Sequence, residues 1–200
     1  MIEELFEYNK RTQRTQHVVA DLLVAGGGMA GVCAAIAAAR QGLRVALVQD
    51  RPVLGGNASS EVRLWVLGAT SHMGNNNRWA REGGLLNELL VENTYRNKEG
   101  NPVIFDTVLL DKVLAENNIS LFLNTVVYDI EKKGSRNIAS VTAYNPQNET
   151  RYHFHAKLFC DATGDGLLAY MAGAHYRQGA EDAEEFGEKF APNKETYGEK

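Results

Sequence analysis

The sequence predicts an α/β fold with a parallel central sheet, an additional β-hairpin layer and an inserted loop-helix segment. The residues from Asp21 to Arg51, DLLVAGGGMAGVCAAIAAARQGLRVALVQDR, have the order strand, glycine turn, helix, strand. Several strand-like runs follow beyond residue 118, separated by short turns. A glycine-rich stretch between residues 52 and 105 interrupts this regular pattern. Strands that alternate with helices are typical of a parallel sheet with helices on its faces.

The first turn has the spacing of a dinucleotide-binding motif. The apolar run Leu22 to Ala25 leads into G-x-G-x-x-G, formed by Gly26, Gly28 and Gly31. The first glycine permits the tight turn, the second lets a pyrophosphate approach the backbone, and the third lets helix and strand pack closely. The helix that begins near Met29 and Ala30 directs unpaired amides and the positive end of its dipole at the same place. This pattern predicts a Rossmann-like domain that binds FAD or NAD(P).

The second strand predicts the ribose site. Val45 to Val48 form an apolar strand, and Gln49, Asp50 and Arg51 follow at its carboxyl end, where a partner for ribose hydroxyls is expected. A glutamine oxygen accepts one such bond without charge assistance, and we expect Gln49→Glu to preserve or strengthen binding. Asp50 is an alternative ribose partner, or a solvated turn carboxylate paired with Arg51.

Composition and charge exclude several classes of protein. The 200 residues are 44% hydrophobic, which is ample for a core, and the net charge of −4 argues against nucleic-acid binding. No apolar run approaches membrane-spanning length, and the polar N-terminal segment is unlike a signal peptide. We therefore expect a cytoplasmic protein with no membrane partner. Cys33 and Cys160 lie far apart within apolar segments, which predicts packed thiols.

The middle of the chain predicts loops and two helices. Pro52 to Asn57 is a second glycine turn, and residues 58–67 are predicted to form a loop followed by a short strand. The polar segment GATSHMGNNNRWAREGG is predicted to be an active-site loop or a surface excursion. Helical periodicity resumes from Gly84 to Arg96, and a further helix is predicted over Asp106 to Asn117 with Asp106 as its N-cap.

Four strands are predicted in the remaining part of the chain. Their expected ranges are Ile119 to Leu123, Val126 to Glu131, Ile138 to Tyr144 and Tyr152 to Phe159. The last strand is followed by CDATGDG, and we expect the backbone groups and one carboxylate of this segment to lie at the carboxyl edge of the sheet. Ligands of open α/β folds bind at that edge.

Three motifs together resemble FAD-dependent oxidoreductases with the glutathione-reductase-like two-dinucleotide-domain fold. They are GGGMAG at 26–31, RPVLGGN at 51–57 and DATGDG at 161–166. The chain looks closest to the family that includes the flavin-binding part of heterodisulfide reductase. This resemblance implies that the first motif contacts the FAD diphosphate and that Gly55, Gly56 and Asn57 run beside the ribityl chain and flavin. It also implies that the backbone at Val127 contacts adenine, while Thr163, Gly164 and Asp165 line the other side of the cofactor.

The chain departs from the pattern of this family in two respects. Relatives usually have a glutamate where this chain has Gln49, and they continue into a substrate domain. We expect an N-terminal extension at 1–20, an FAD-binding domain at 21–180 and a polar tail at 181–200, with a missing C-terminal substrate domain. The FAD-binding domain divides into a βαβ unit at 21–51, a flavin-side insert at 52–105, and helix, hairpin strands and ATGDG strand at 106–170.

The expected function is transfer of hydride or electrons between a small-molecule substrate and flavin. The candidate catalytic residues are His72, as an acid or base, and Arg78, which with Arg63 and Arg81 is suited to clamp an anionic substrate. Each is also explained as an ordinary surface or loop residue. His153 and His155 alternate on one strand and predict an outward sheet face, with no metal site. The alternatives are an NAD-dependent dehydrogenase domain and a non-catalytic nucleotide-binding fragment.

Overall fold

A computed structural model describes residues 13–66, 82–179 and 183–187. The described part consists of six strands, five α-helices and one short 3₁₀ turn at Gly56–Ala58. The strands are β1 (Arg14–Ala25), β2 (Val45–Val48), β3 (Ile119–Phe122), β4 (Val126–Lys133), β5 (Asn137–Asn145) and β6 (Thr150–Asp161). The helices are α1 (Met29–Arg40), α2 (Gly84–Arg96), α3 (Pro102–Leu114), α4 (Leu167–Ala172) and α5 (Ala183–Phe186).

The predicted parallel sheet is confirmed. All six strands form one sheet in the order β3-β2-β1-β6-β5-β4, and β3, β2, β1 and β6 run parallel to one another. The chain moves outward from β1 to β2 and β3, then returns to pair β6 on the other side of β1. This reversal between β1 and β6 is the topological switch point, where a crevice opens outside the carboxyl ends of the strands.

The predicted β-hairpin layer is also confirmed. β4 and β5 are antiparallel, and β5 pairs with the first half of β6, from Thr150 to Phe154. Apolar side chains of the hairpin share a buried cluster with one face of the parallel strands: Leu23, Ala25, Ala46, Val48, Val127, Val141 and Ala143. The hairpin therefore continues the sheet and also covers one of its faces.

Helices cover the opposite face of the parallel strands. Buried side chains of α1 and α3 pack with those of β1 and β2 in a second cluster that includes Val24, Val32, Ile36, Leu47, Val108 and Leu109. The inner face of α1 is built largely from small residues such as Gly31 and Ala35, which lets its backbone lie close to the sheet. This close packing positions the start of α1 at the crevice.

Strand β1 is longer than predicted, because it begins at Arg14 rather than at Leu22. The first residues of β1 are polar and exposed, so apolar periodicity does not reveal them. Their strand geometry comes from parallel pairing with β6, which runs from Arg14 opposite Thr150 to Ala25 opposite Asp161. Residues 14–20 of the predicted N-terminal extension therefore lie in the sheet.

The prediction of Asp106 as an N-cap is wrong. Helix α3 begins at Pro102, and its cap is Asn101, whose Oδ1 accepts a hydrogen bond from the Val103 amide at 2.9 Å. An asparagine followed by proline at the first helical position is a strong start signal, and it takes precedence over the later aspartate. Asp106 is instead buried within α3, where its Oδ1 accepts from the Ser60 amide at 2.9 Å.

One smaller prediction also differs from the structure. No strand forms in the described residues 58–66 of the predicted loop and strand at 58–67; turns follow the 3₁₀ segment, and the Arg63 amide bonds to the Ser59 carbonyl. Within the predicted polar tail at 181–200, the described residues 183–187 contain α5. Glu185 there accepts from the Arg177 guanidinium at 2.6 Å. The other residues of that tail lie outside the described ranges.

Across the described ranges, no helix combines the length and apolar character needed to cross a bilayer. The predicted cytoplasmic location and the predicted domain limits stay predictions.

Candidate functional site

A cleft of about 1360 Å³ opens at the carboxyl ends of β1, β2 and β6. The structure brings most of the predicted cofactor-binding residues to its walls: Gly26, Gly28, Met29, Ala30, Gln49, Asp50, Arg51, Gly55, Gly56, Asn57, Val127, Thr163, Gly164 and Asp165. Residues from separate stretches of the chain thus line one continuous surface. The cleft lies at the switch point, where the topology places a ligand.

Gly28 is a position where the backbone is open to the cleft. It precedes α1 as the N-cap, and a Cβ atom built on it would have no heavy atom within 4 Å. Its φ of −65° suits any residue, so a glycine is not required by backbone conformation. The amides of the first turn of α1 have no partner within the helix. The absent side chain therefore leaves room for an anion to reach these amides and the positive end of the helix dipole.

Gly26 and Gly31 have a different role, which is to allow close packing. Gly26 has a φ of +99°, and a Cβ there would overlap the backbone of Ala162. A Cβ on Gly31 would overlap the Gly26 carbonyl oxygen, and Gly31 does not line the cleft. These contacts match the tight-turn and helix-packing roles expected of the first and third glycines.

The two glycine turns are joined directly. The Gly55 amide donates to the Gly27 carbonyl at 2.8 Å, and a Cβ on Gly56 would lie 3.2 Å from the Gly28 Cα atom. Gly55 has a φ of +107°, which favours glycine. The segment Gly55 to Asn57 is thereby held beside the start of α1.

Gln49 is buried, with 4% of its surface exposed. Its Oε1 accepts from the Gly27 amide at 2.7 Å, and its Nε2 donates to the Val53 carbonyl at 3.2 Å. The Gln49 amide group is therefore directed at backbone on both sides. Sequence reasoning assigned this side chain to the ribose and gave no indication of these two contacts.

Asp50 and Arg51 lie on the surface at the end of β2. Both are exposed, and both line the cleft. The Arg51 Nε donates to Glu61 Oε2 at 2.8 Å, and this carboxylate raises the pKa of the Arg51 guanidinium. Arg51 therefore hydrogen-bonds to Glu61, whereas Asp50, for which pairing with Arg51 was one of two alternatives, acts on this guanidinium through its charge.

A hydrogen-bonded network supports the far wall of the cleft. Asp161 Oδ1 accepts from the Thr163 hydroxyl at 2.7 Å, and Asp161 Oδ2 accepts from the Ala169 amide at 2.9 Å. The Thr163 Oγ1 in turn accepts from the Leu167 amide at 2.9 Å. These acceptors satisfy amides in the first turn of α4. Asp161 was not predicted as a site residue, although an aspartate two residues before a threonine after a strand is a local turn signal.

Two tyrosines on the same side of the cleft were also not predicted. Tyr170 and Tyr176 are 61% and 65% exposed, and their rings meet edge to face with centroids 5.4 Å apart. Both line the cleft. Two large exposed aromatic rings at a ligand-sized cleft are suited to stack on a planar group or on further protein.

Neither cysteine has the properties of a reactive thiol. Both are free and partly buried, and burial raises the pKa of Cys33. Burial also raises the pKa of Cys160, and the neighbouring Asp161 carboxylate adds to this effect. A raised pKa keeps a thiol protonated near neutral pH. This agrees with the prediction of packed thiols.

The predicted catalytic residues have different outcomes. His72, Arg78 and Arg81 lie outside the described residues, so their roles stay predictions. Arg63 is exposed, and its Nε donates to the Ser60 carbonyl at 3.0 Å.

His153 and His155 lie on β6, and His17 of β1 stacks on both rings.

Comparison with known proteins agrees with the geometry. A family model described as FAD dependent oxidoreductase matches residues 21–198. This match confirms the predicted family of FAD-dependent oxidoreductases and with it the predicted FAD cofactor, while the finer relation to heterodisulfide reductase stays a prediction. No curated protein sequence matches the chain significantly.

Solved structures with a similar fold are distant in sequence. A geranylgeranyl bacteriochlorophyll reductase-like protein from Thermoplasma acidophilum matches 79% of this chain and 43% of its own length, with 18% identity and a TM-score of 0.53. The flavin-dependent brominase Bmp2, as a triple mutant, matches 81% and 43%, with 15% identity and a TM-score of 0.53. Mycobacterium smegmatis Sdh1 in complex with UQ1 matches 74% and 34%, with 19% identity and a TM-score of 0.51. Across these and other similar structures, the chain spans 25% to 43% of the solved chain that it matches.

Proposed function

The chain belongs to the FAD dependent oxidoreductase family, and from this premise we propose that the cleft binds FAD in an extended form. The diphosphate would lie at the start of α1, the adenosine end near Val127 and the end of β2, and the flavin end toward Asn57 and Thr163. The observation that carries this proposal is Gly28, whose missing side chain leaves the first-turn amides of α1 accessible from the cleft.

The residues present fit this cofactor. The diphosphate is an anion, and a helix N-terminus approached over a glycine supplies amide donors and a favourable dipole without a basic side chain. Asp165 and Asn57 are polar, line the cleft from different segments of the chain and are suited to bond the hydroxyls of the ribityl chain. The cleft volume of about 1360 Å³ is large enough for a dinucleotide.

When bound, FAD supplies hydride or single-electron transfer. The protein residues bind and orient it. Gly55 and Gly56 keep the second turn against α1, and the Asp161 and Thr163 network holds the opposite wall at the end of β6. These supports are a hydrogen bond between backbone groups and one between short side chains, and they would place the cofactor on rigid elements.

We further propose that the substrate is a small molecule and that a substrate domain of the same polypeptide completes the pocket. This is supported by the solved structures of similar fold, of which the chain spans less than half. The exposed rings of Tyr170 and Tyr176 at the edge of the cleft are suited to contact such a domain. His72 and Arg78 remain the proposed acid or base and the proposed anion clamp.

The test is an absorbance spectrum of the longer polypeptide that includes this chain and its proposed substrate domain, as purified, followed by identification of the released cofactor. We expect the two visible bands of an oxidised flavin, and FAD in the supernatant after denaturation. Recovery of FMN would contradict the adenosine end of the site. Recovery of NAD without flavin would favour a nicotinamide-dependent dehydrogenase, and bound FAD that a chemical reductant reduces but no candidate substrate reduces would favour a non-catalytic module.

A further inference from the structure

Gln49 occupies the place where a dinucleotide-binding domain has its ribose partner, yet its amide group is engaged elsewhere. The Gly27 amide donates to Oε1 at 2.7 Å, and Nε2 donates to the Val53 carbonyl at 3.2 Å. Gly27 lies in the first glycine turn, and Val53 lies just before the second. One buried side chain therefore connects the two turns that form adjacent walls of the cleft.

The orientation of this amide follows from chemistry. A backbone N–H only donates and a carbonyl only accepts, so the Gln49 oxygen belongs at Gly27 and the nitrogen at Val53. The side chain also fits closely against the first turn, since a Cβ on Gly27 would lie 2.9 Å from the Gln49 Cβ atom. Rotation toward a ribose would leave the buried Gly27 amide and the partly buried Val53 carbonyl without these partners, which is costly.

Asp50 is placed differently. It directly follows Gln49, is exposed and lines the same cleft. Arg51, its neighbour, bonds to Glu61. Asp50 is thus a carboxylate at the end of β2 that is open to a ligand in the cleft.

We propose that Gln49 is a positioning residue that holds the two glycine turns together, and that Asp50 accepts the bonds of the adenosine ribose. This inference rests on the proposed FAD site. It reverses the expectation that a glutamate at position 49 preserves or strengthens binding. A glutamate keeps the acceptor for Gly27 but presents a second carboxylate oxygen to the Val53 carbonyl, which is also an acceptor.

The reversal predicts a characteristic pH dependence of the Gln49→Glu variant. Burial and the Val53 carbonyl disfavour the charged form of the introduced carboxyl, whereas the Gly27 amide and the N-terminal end of α1 favour it. We expect the first two effects to prevail and to raise the pKa of this carboxyl above the ordinary glutamate value of about 4.3. Once protonated, the carboxyl donates a hydrogen bond to the Val53 carbonyl and restores the connection between the two glycine turns, which we call the clamp. The defect of Gln49→Glu is therefore full above the raised pKa and diminishes as the pH falls through it.

The experiment measures thermal stability of the apoprotein and FAD affinity for Gln49→Glu, Gln49→Met and Asp50→Asn in the whole protein, at pH 8 and pH 5. We expect Gln49→Glu to bind FAD about tenfold more weakly than the parent at pH 8, equal to about 1.4 kcal/mol, with most of the loss recovered at pH 5. Gln49→Met, similar in shape, should lose a similar factor at both pH values. Asp50→Asn should weaken FAD binding while leaving the apoprotein's melting temperature unchanged.

Gln16→Glu, an exposed site on β1, controls for the added charge and should match the parent throughout. Two results would contradict the role of Gln49 as a clamp. One is FAD binding by Gln49→Glu at pH 8 as tight as that of the parent, and the other is parental stability and FAD affinity in Gln49→Met. Parental FAD affinity in Asp50→Asn would overturn the ribose assignment. If the parent itself binds no FAD, the proposed function fails, whereas the pH-dependent melting of apo Gln49→Glu still tests the clamp.

Discussion

At the residue scale, glycines of one motif serve either the ligand or the fold, and the two roles are separable by mutation. A side chain at Gly28 would enter the open cleft, whereas one at Gly31 would overlap the Gly26 carbonyl. Gly28 also has backbone angles that other residues adopt, so its replacement costs the fold little. Binding and folding therefore depend on different members of the same six-residue pattern.

We expect Gly28→Val to abolish FAD binding with the melting temperature of the apoprotein within a few degrees of the parent, because the valine fills the diphosphate site. Gly31→Ala should instead lower the free energy of unfolding by about 1–3 kcal/mol, the usual cost of overpacking. Flavin titration and thermal melting of both apoproteins measure these effects. Equal loss of stability in the two variants would show that Gly28 is also a packing residue.

At the element scale, the three helices on one sheet face are joined by a surface ion network. Arg40 at the end of α1 donates two hydrogen bonds to Glu88 of α2, at 2.7 and 2.9 Å. It also donates to Glu116, just beyond α3, at 2.6 Å. Arg40, with help from Lys112 of α3, lowers the pKa of Glu88 to about 2. The network holds α2 and α3 against α1, the helix that positions the proposed diphosphate site.

We expect Glu88→Gln to lower the free energy of unfolding by about 1 kcal/mol or less at pH 7, because the pair is partly exposed to solvent. The folded-state pKa of Glu88 is depressed, so its contribution is present above about pH 4.3 and is lost as the pH falls toward 2. Urea denaturation across this pH window measures the difference between variant and parent.

Glu99→Gln, at an exposed site after α2, provides the matched control and should behave as the parent does. A Glu88→Gln defect that is as large at pH 2 as at pH 7 would show that the network acts through packing of the side chains and not through charge.

At the scale of the whole molecule, the cleft has firm walls and an open side. The α1 turn, the second glycine turn and the end of β6 are held by backbone hydrogen bonds, whereas Tyr170 and Tyr176 lie exposed at its edge. The adenosine and diphosphate portions of FAD thus have their proposed contacts within the described residues. The catalytic residues proposed for the flavin end do not lie among them.

We therefore expect residues 1–200, produced alone, to fold and to bind FAD weakly without turnover. Added FAD should raise the free energy of unfolding of residues 1–200 by about 2.7 kcal/mol when its free concentration is one hundred times the dissociation constant, because it binds only the folded state. Thermal melting with increasing FAD, flavin titration and a turnover assay measure the three properties. Tight, stoichiometric FAD together with turnover would show that the fragment is a complete functional module.

Much of the fold and part of the site were predictable because they depend on local patterns. The glycine spacing at 26–31, the apolar strand β2 and helix α2 each follow from periodicity or backbone requirements within a few residues. The prediction for the start of α3 is wrong, because Asp106 is a residue type that commonly caps helices, whereas the stronger signal is Asn101 before Pro102. Both signals are local, so the sequence contains the correct start of this helix.

Local patterns were enough to predict the α/β class and the dinucleotide-binding unit, because strand and helix periods and glycine turns depend on neighbouring residues, while the resemblance of three motifs implied FAD. Only the tertiary structure decided that β1 extends back to Arg14, that Asp106 holds the Ser60 amide, and that Gln49 connects Gly27 to Val53. Each of these depends on a partner that the fold, and not the local pattern, brings within hydrogen-bonding distance. Buried polar groups must be paired, so it is the assembled backbone that selects which partner each side chain takes.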